Sequence, residues 1–173
     1  NQDSRQVGDY VTLRFSGKKH KTPLLLTERI VGRDAESLTI DYAFTADGGK
    51  AETLRVRSVI AGPQKGSILS VFRVEAGGKI SAAEVEAFES LMQKTAMVAD
   101  QNDELMSEED ASVEVAGRSF KVKKSKYKVR IGQKKAVLST MTSGDFAWGD
   151  FGGDMSAPAW GIVFSGGGPT PVP

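Results

Sequence analysis

SVEVAGRSFKVKKSKYKVRIGQKKAVLSTMTSGDFAWGDFGGD, the stretch from Ser112 to Asp154, decides the fold class of this chain. Short runs of alternating apolar and polar residues, separated by glycine-containing turns, are typical of antiparallel strands. Val113 and Val115 form one such run, and residues 136–138 form another run after the turn at Gly132. The stretch therefore predicts β-hairpins.

The apolar residues change sides in the middle of this stretch. Phe120 and Val122 occupy even positions, whereas Tyr127 and Val129 occupy odd positions. Because successive side chains of a strand point to opposite faces, the switch predicts a bulge or a turn within residues 123–126. We interpret the segment as a bulged hairpin or a pair of hairpins.

Two charged runs of opposite sign follow one another. Residues 100–110 carry six carboxylates and no cation, whereas residues 118–135 carry nine Lys or Arg and no acid. The acidic run is interpreted as a solvated loop, because it lacks the alternating oxygen ligands and central glycine of a calcium site.

The basic run allows three interpretations. It is a solvated face balanced by the acidic run, a surface attracted to anionic lipid or envelope polymer, or a polyanion-binding site. Tyr127 is the one residue interleaved with the cations as a possible stacking aromatic, so no specific nucleic-acid binding is predicted. The candidate polyanion-binding residues are Lys121, Lys123, Lys124, Lys126, Lys128 and Arg130.

The N-terminal half shows the same alternation in consecutive segments with turn residues between them, which predicts an antiparallel meander. With the later runs, including a last strand at 160–164, about eight strands are expected in one β-rich domain. The 173 residues suit a single core. The domain is predicted to span 7–165, after a disordered segment 1–6 and before a flexible Gly/Pro tail 166–173.

One segment has helical instead of strand periodicity. Ser81 to Glu84 matches a capping box, and apolar residues then recur at spacings of three and four, which predicts an amphipathic helix over roughly residues 82–99. Its apolar stripe either packs on the sheet as core or covers a ligand cavity. In the second interpretation the ligand-binding residues are Val85, Phe88, Leu91 and Met92.

Residues 144–154 contain the tripeptide GDF twice, and both copies place an aspartate beside an aromatic residue. Such a segment is a structural turn whose aromatic residues plug the end of a sheet, or a site that binds a cation or stacks on a sugar. For the binding interpretation the candidate residues are Phe146, Trp148 and Phe151.

Catalytic chemistry has few residues available. The chain has no cysteine and a single histidine, His20, which is flanked by lysines and is expected in an exposed turn. Phosphate-binding glycine loops and nucleophile elbows are absent from the sequence. We therefore predict no enzyme activity, no cofactor and no metal, with paired carboxylates among Glu28, Asp145 and Asp150 left open for glycoside hydrolysis.

Several segments carry a resemblance to a known family: VGDYV at 7–11, the consecutive strands that follow, VEVAGRSFKV at 113–122, and Trp148-Gly149. Over most of residues 7–165 the chain is similar to bacterial envelope proteins of the lipoprotein-carrier type. The resemblance implies a curved antiparallel sheet, an unclosed barrel, whose concave face is covered by helix and holds acyl chains. It also implies export to the periplasm or secretion.

The leading prediction is thus a non-catalytic envelope protein that binds or carries an apolar, lipid-like ligand on the concave face of its sheet. The alternatives are an envelope scaffold or protein-interaction module without a ligand, and a carboxylate-based hydrolase. The expected partners are a lipid and an envelope protein, with peripheral membrane contact at most. Asn1 in place of Met at the start indicates a removed leader or a trimmed sequence.

Overall fold

The fold was obtained as a computed structural model that describes residues 4–17, 24–45, 49–95, 101–115, 117–156 and 159–169. These residues form eleven strands and one helix, which confirms the predicted class, mainly β with one helix. The expected count of about eight strands is too low.

The first half of the chain contains six strands and the helix. They are β1 Asp9–Gly17, β2 Leu24–Arg33, β3 Ser37–Thr45, β4 Glu52–Val59, β5 Ile68–Val74, β6 Ile80–Ala82 and α1 Val85–Thr95. The second half contains the other five strands. They are β7 Gln101–Val115, β8 Arg118–Ile131, β9 Lys134–Thr142, β10 Asp150–Ser156 and β11 Ala159–Pro169.

The strands form two antiparallel meanders that meet in the middle of one sheet. The spatial order is β6-β5-β4-β3-β2-β1-β11-β10-β9-β8-β7, so β1 and β11 join the meanders and β6 and β7 lie at the edges. Contacts between β7 and β11, which are not neighbours in this order, show that the second meander curls back on itself. The sheet is thus curved and open at its edges, as the family resemblance implied.

Two clusters of core residues lie on the inward face of the first meander. Alternate residues of β2 are buried, starting at Leu24 and Leu26, and they pack with Phe15 of β1 and Leu54 of β4. A second cluster is centred on Leu38 of β3. These rows follow from the period of two in the sequence, because a strand buried on one face must alternate.

The helix covers the first of these clusters but is shorter than predicted. Leu91 is buried against the core residues, and Phe88 and Met92 pack beside it. The predicted capping box is wrong, because Ser81 pairs with Arg73 in the sheet and α1 begins only after Glu84. Residues 96–99 of the predicted helix lie outside the described part of the chain. No helix in the described ranges is long and apolar enough to cross a membrane.

The acidic run is a strand, so its interpretation as a solvated loop is wrong. Residues 101–110 belong to β7, which pairs along its length with the basic strand β8. Lys123 Nζ lies 3.0 Å from Glu108 Oε1, and Lys128 Nζ lies 3.2 Å from Glu104 Oε2. Opposite charges on neighbouring strands attract each other across the ladder, which explains how so polar a segment forms a strand.

The predicted bulge in β8 is also wrong. The pairing of β8 with β9 runs without interruption from Lys123 to Ile131, and the register shifts of the β7–β8 pair lie on the β7 side. Since β8 is regular, Val122 and Ser125, both buried, must point to opposite faces of the sheet. The move of the apolar residues from even to odd positions therefore marks the point at which the buried face of β8 changes.

Two glycine-rich segments form more strand than the sequence predicted. The first GDF copy lies in the loop before β10, whereas the second copy enters β10, which begins at Asp150. β11 continues past the predicted end of the domain to Pro169, where its glycines pair with β1 through their backbones. Residues 170–173 of the predicted tail lie outside the described part, as does His20.

Candidate functional site

The β7–β8 hairpin projects beyond the end of β9. Pairing between β8 and β9 begins at Lys123 and Thr142, so residues 118–122 of β8 extend past the last residue of β9. Residues 143–149, here called the groove loop, leave β9 at this point. Two backbone hydrogen bonds close the loop, from Ser143 N to Gly149 O at 2.8 Å and from Gly149 N to Phe146 O at 2.9 Å. The positive φ of Gly149, 76°, suits glycine at this turn.

An open groove of about 1090 Å³ lies between the projecting hairpin and the groove loop. Its lining comes from β7, β8, the end of β9 and the loop, and consists of Asp110, Ala111, Ser112, Lys121, Val122, Lys123, Thr142, Ser143, Gly144, Phe146 and Gly149. The groove thus combines two cations and one carboxylate with hydroxyl groups and an apolar wall. This volume reaches the upper end of the range of ligand pockets, about 300–1000 Å³.

An aromatic cluster supports the apolar wall. Phe146 stacks on Phe151 with ring centroids 4.4 Å apart, and Phe120 contacts Phe151 at 5.0 Å. Phe151 and Phe120 are buried, whereas Phe146 is partly exposed. Of the three rings, only Phe146 lines the groove.

The two lysines of the groove differ in their surroundings. Lys123 is held by Glu108, and this hydrogen bond, together with the nearby charge, raises the pKa of Lys123. Lys121 is exposed and makes no ion pair with any residue in the described ranges. Lys121 is therefore the cation that is available to an anionic group in the groove.

The groove loop is tied to the first meander by a buried polar cluster. Trp148 Nε1 donates a hydrogen bond to Glu28 Oε2 at 2.6 Å. The Arg5 guanidinium lies 4.7 Å from the centre of the Trp148 ring and donates from Nε to the Ala147 carbonyl at 3.4 Å. Arg5 belongs to the segment 1–6 for which the sequence predicts disorder, and its own carbonyl accepts from Arg33 at 2.7 Å.

Glu28 is unusual because it occupies the inward, apolar row of β2 between Leu26 and Ile30. Its carboxylate is enclosed, and burial raises its pKa even though the Trp148 hydrogen bond and the Arg5 charge act in the opposite direction. Burial likewise lowers the pKa of Arg5 and raises that of Tyr42, which faces Glu28 from β3. A charged side chain at an inward position beside two apolar clusters destabilises the fold unless the charge is paired.

Sequence reasoning missed Glu28 as a partner of Trp148. The signal was present: a single acidic residue interrupts the buried row formed by Leu24, Leu26 and Ile30. The alternation shows that Glu28 points inward, but the sequence does not show which distant residue meets it.

The four candidate ligand residues of α1 lie around the core. Leu91 is buried, Phe88 and Met92 are partly buried, and Val85 is exposed. The described cavity beside them, lined in part by Leu54 and Leu91, has a volume of about 70 Å³. This space is far below the volume of a ligand pocket. That these residues bind a ligand stays a prediction.

The candidate polyanion-binding residues fall on both faces of β8. Lys121 and Lys123 share one face, and the other four cations share the opposite one, as the regular strand requires. All six are exposed. Lys128 is paired with Glu104, so part of this charge is balanced by β7.

The candidate carboxylates have separate surroundings. Asp150 Oδ1 accepts from Gly152 N at 2.7 Å, and burial raises the pKa of Asp150. Asp145 is exposed, and Glu28 is engaged by Trp148. Among the described residues, no three His, Cys, Asp or Glu side chains form a group that could hold a metal ion.

Comparison with known proteins gives a distant structural neighbour and no family. No protein-family model and no curated sequence matches the chain. One solved structure is similar: a "putative exported protein with YmcC-like fold" from Bacteroides fragilis, with 11% identity and a TM-score of 0.43 over 95% of this chain and 97% of that one. The lipoprotein-carrier resemblance stays a prediction.

Proposed function

We propose that this chain is an exported, non-catalytic binding protein whose groove holds an amphiphile with an anionic head group. Export and a lipid-like ligand are carried over from the lipoprotein-carrier resemblance of the sequence. The groove supplies the head-group chemistry and the place of binding. The observation that carries the proposal is that Lys121 and Phe146 line the same open space.

The charges and the apolar wall explain the choice of ligand class. Lys121 offers an ammonium group without an ion-pair partner in the described ranges, and hydroxyls of Ser112 and Thr142 offer further hydrogen bonds. A charge-assisted hydrogen bond to a sulfate or phosphate is stronger than a neutral one. Phe146 supplies apolar contact for the part of the ligand next to its head group.

The volumes of the groove and of the cavity beside α1 explain why we place the ligand in the groove. A ligand beneath α1 would have to displace core side chains, since the cavity there holds about 70 Å³. The groove holds about 1090 Å³ without any movement of the core. We therefore place the ligand in the groove and retain α1 as part of the core.

Charge reversal at Lys121 tests the proposal. Titration of the protein with decyl sulfate below its critical micelle concentration, followed by calorimetry, is expected to show binding, and Lys121→Glu is expected to weaken it about tenfold or more. The matched control is Lys126→Glu, which makes the same change of charge at a β8 position that does not line the groove, and it is expected to leave the affinity within about twofold.

Decyl maltoside, which has the same chain and an uncharged head, separates the two parts of the ligand. It is expected to bind more weakly than decyl sulfate to the unmodified protein and equally to both variants. Equal binding of the two detergents, or equal loss in the two variants, would show that the groove does not recognise the anion.

An interaction module is the second candidate, and one surface favours it. Phe72 and Ile80 are both exposed at the β5–β6 edge of the sheet. Contiguous exposed apolar patches are found where partner proteins bind, and Phe72 and Ile80 lie on one face of the sheet. If this candidate is right, replacing both residues by serine abolishes association with the partner protein. The unmodified protein should then show no decyl sulfate binding in the groove.

A further inference from the structure

The groove loop is held at two ends by different parts of the protein. On one side Phe146 packs into the aromatic cluster beneath the groove. On the other side Trp148 packs on the core cluster of β3 and donates to Glu28 of β2. The loop thus spans from the ligand groove in the second meander to a buried carboxylate in the first.

We propose that Glu28, acting through Trp148, is a positioning residue for the groove loop, and that proton uptake by Glu28 favours the loop conformation that lines the groove. The inference rests on the proposed function for its consequence, ligand affinity, but the loop itself can be observed without a ligand. We call the arrangement with Trp148 on Glu28 the docked loop.

Linkage gives the direction of the pH effect. In the docked loop, burial holds the pKa of Glu28 above its ordinary value. When Trp148 leaves, water reaches the carboxylate, and the hydrogen bond that lowers its pKa is lost as well. Burial is the larger of these two causes, so the pKa falls towards its ordinary value. The docked loop therefore binds the proton more tightly, and each unit of pKa difference changes the ratio of docked to undocked loop about tenfold.

The sign follows from the raised pKa. The advantage of the docked loop is complete below the ordinary pKa of a glutamate, and it is lost as the pH rises through the raised pKa of Glu28. Acidification from neutral pH should accordingly tighten the loop.

The groups around Glu28 leave it as the residue that titrates in this range. Arg5 faces it from the N-terminal segment, and burial lowers the Arg5 pKa from a very high ordinary value. Tyr42 faces it from β3, and burial raises the pKa of Tyr42, so the hydroxyl stays neutral. The residue opposite Glu28 on β1 is Val11, and the loop contributes Trp148.

Fluorescence of Trp148 tests the inference directly. With Trp160→Phe as background, Trp148 is the remaining tryptophan, because the chain has two. Acrylamide quenching of its emission is expected to fall about twofold or more between about pH 8 and about pH 5, with a midpoint above the ordinary pKa of glutamate. Adding Glu28→Gln, which mimics the protonated side chain, should give low quenching at every pH.

Glu75→Gln is the matched control, because Glu75 is an exposed carboxylate in the loop between β5 and β6. It should keep the pH profile of the background. A residue with a purely structural role would change quenching equally at all pH values. The inference is overturned if the background shows no pH dependence, or if Glu28→Gln leaves the profile unchanged.

Ligand titration separates this inference from the proposed function. Decyl sulfate keeps its charge over this range, so a rise in its affinity on acidification, absent in Glu28→Gln, reports the loop. A pH-dependent quenching profile without decyl sulfate binding supports the positioning role and rejects the groove as the ligand site. If decyl sulfate binds but the quenching of Trp148 does not depend on pH, the groove stays the proposed ligand site and the positioning role of Glu28 is overturned.

Discussion

Replacing Phe151 by alanine is expected to lower the free energy of unfolding by about 3–5 kcal/mol. The Phe151 side chain is 1% exposed and is one of the largest fully buried side chains in the described residues. It contacts both Phe120 and Phe146, so its removal leaves a cavity between the hairpin and the groove loop. Urea denaturation followed by circular dichroism measures the loss.

Phe146→Ala is the matched control, since both residues belong to the GDF segment and to one aromatic cluster. Phe146 is partly exposed and lines the groove, so we expect a smaller loss of stability and a larger loss of decyl sulfate affinity. The opposite pattern, a stable Phe151→Ala protein that no longer binds the detergent, would return Phe151 to the ligand-binding role predicted from the sequence.

The first meander could be predicted from the sequence because its strands obey one simple rule. Leu38, Ile40 and Leu54 alternate with polar residues, and each strand pairs with the next strand along the chain. When one face of a sheet is buried, this local alternation determines which side chains form the core.

The second meander could not be predicted in the same way, because its stability depends on pairing between strands. The acidic residues of β7 have low strand propensity alone, and the cations of β8 compensate them only after the two strands are adjacent. Likewise, the covered face of β8 changes between Val122 and Ser125, and the local pattern does not distinguish this change from a bulge.

Part of the candidate site could likewise be predicted from the sequence, and part could not. Phe146 and Trp148 stand out in the sequence as aromatic residues in a Gly-Asp segment, and both contribute to the groove loop. Glu28 is 120 positions away from Trp148 along the chain, and their hydrogen bond depends on the meeting of the two meanders. Contacts of that kind follow from topology, which strand patterns alone do not define.

Replacing Leu91 by alanine is expected to destabilise the protein by about 2–5 kcal/mol without weakening decyl sulfate binding. Leu91 is 6% exposed and packs on Leu54 and the neighbouring core residues, so the truncated side chain leaves a cavity under α1. The groove lies in the second meander and shares no lining residue with the cavity beside α1. Stability and affinity should therefore respond independently, as distant sites usually do.

Val85→Ala provides the comparison on the same helix. Val85 is 37% exposed, and substitutions at such positions usually change stability by less than about 0.5 kcal/mol. If α1 were instead the cover of a lipid cavity, Leu91→Ala would enlarge that cavity and strengthen the binding of an apolar chain. Decyl maltoside titration of the two variants distinguishes these cases, because its uncharged head removes the contribution of Lys121. Unchanged binding in Leu91→Ala, with the expected loss of stability, assigns the apolar stripe of α1 to the core.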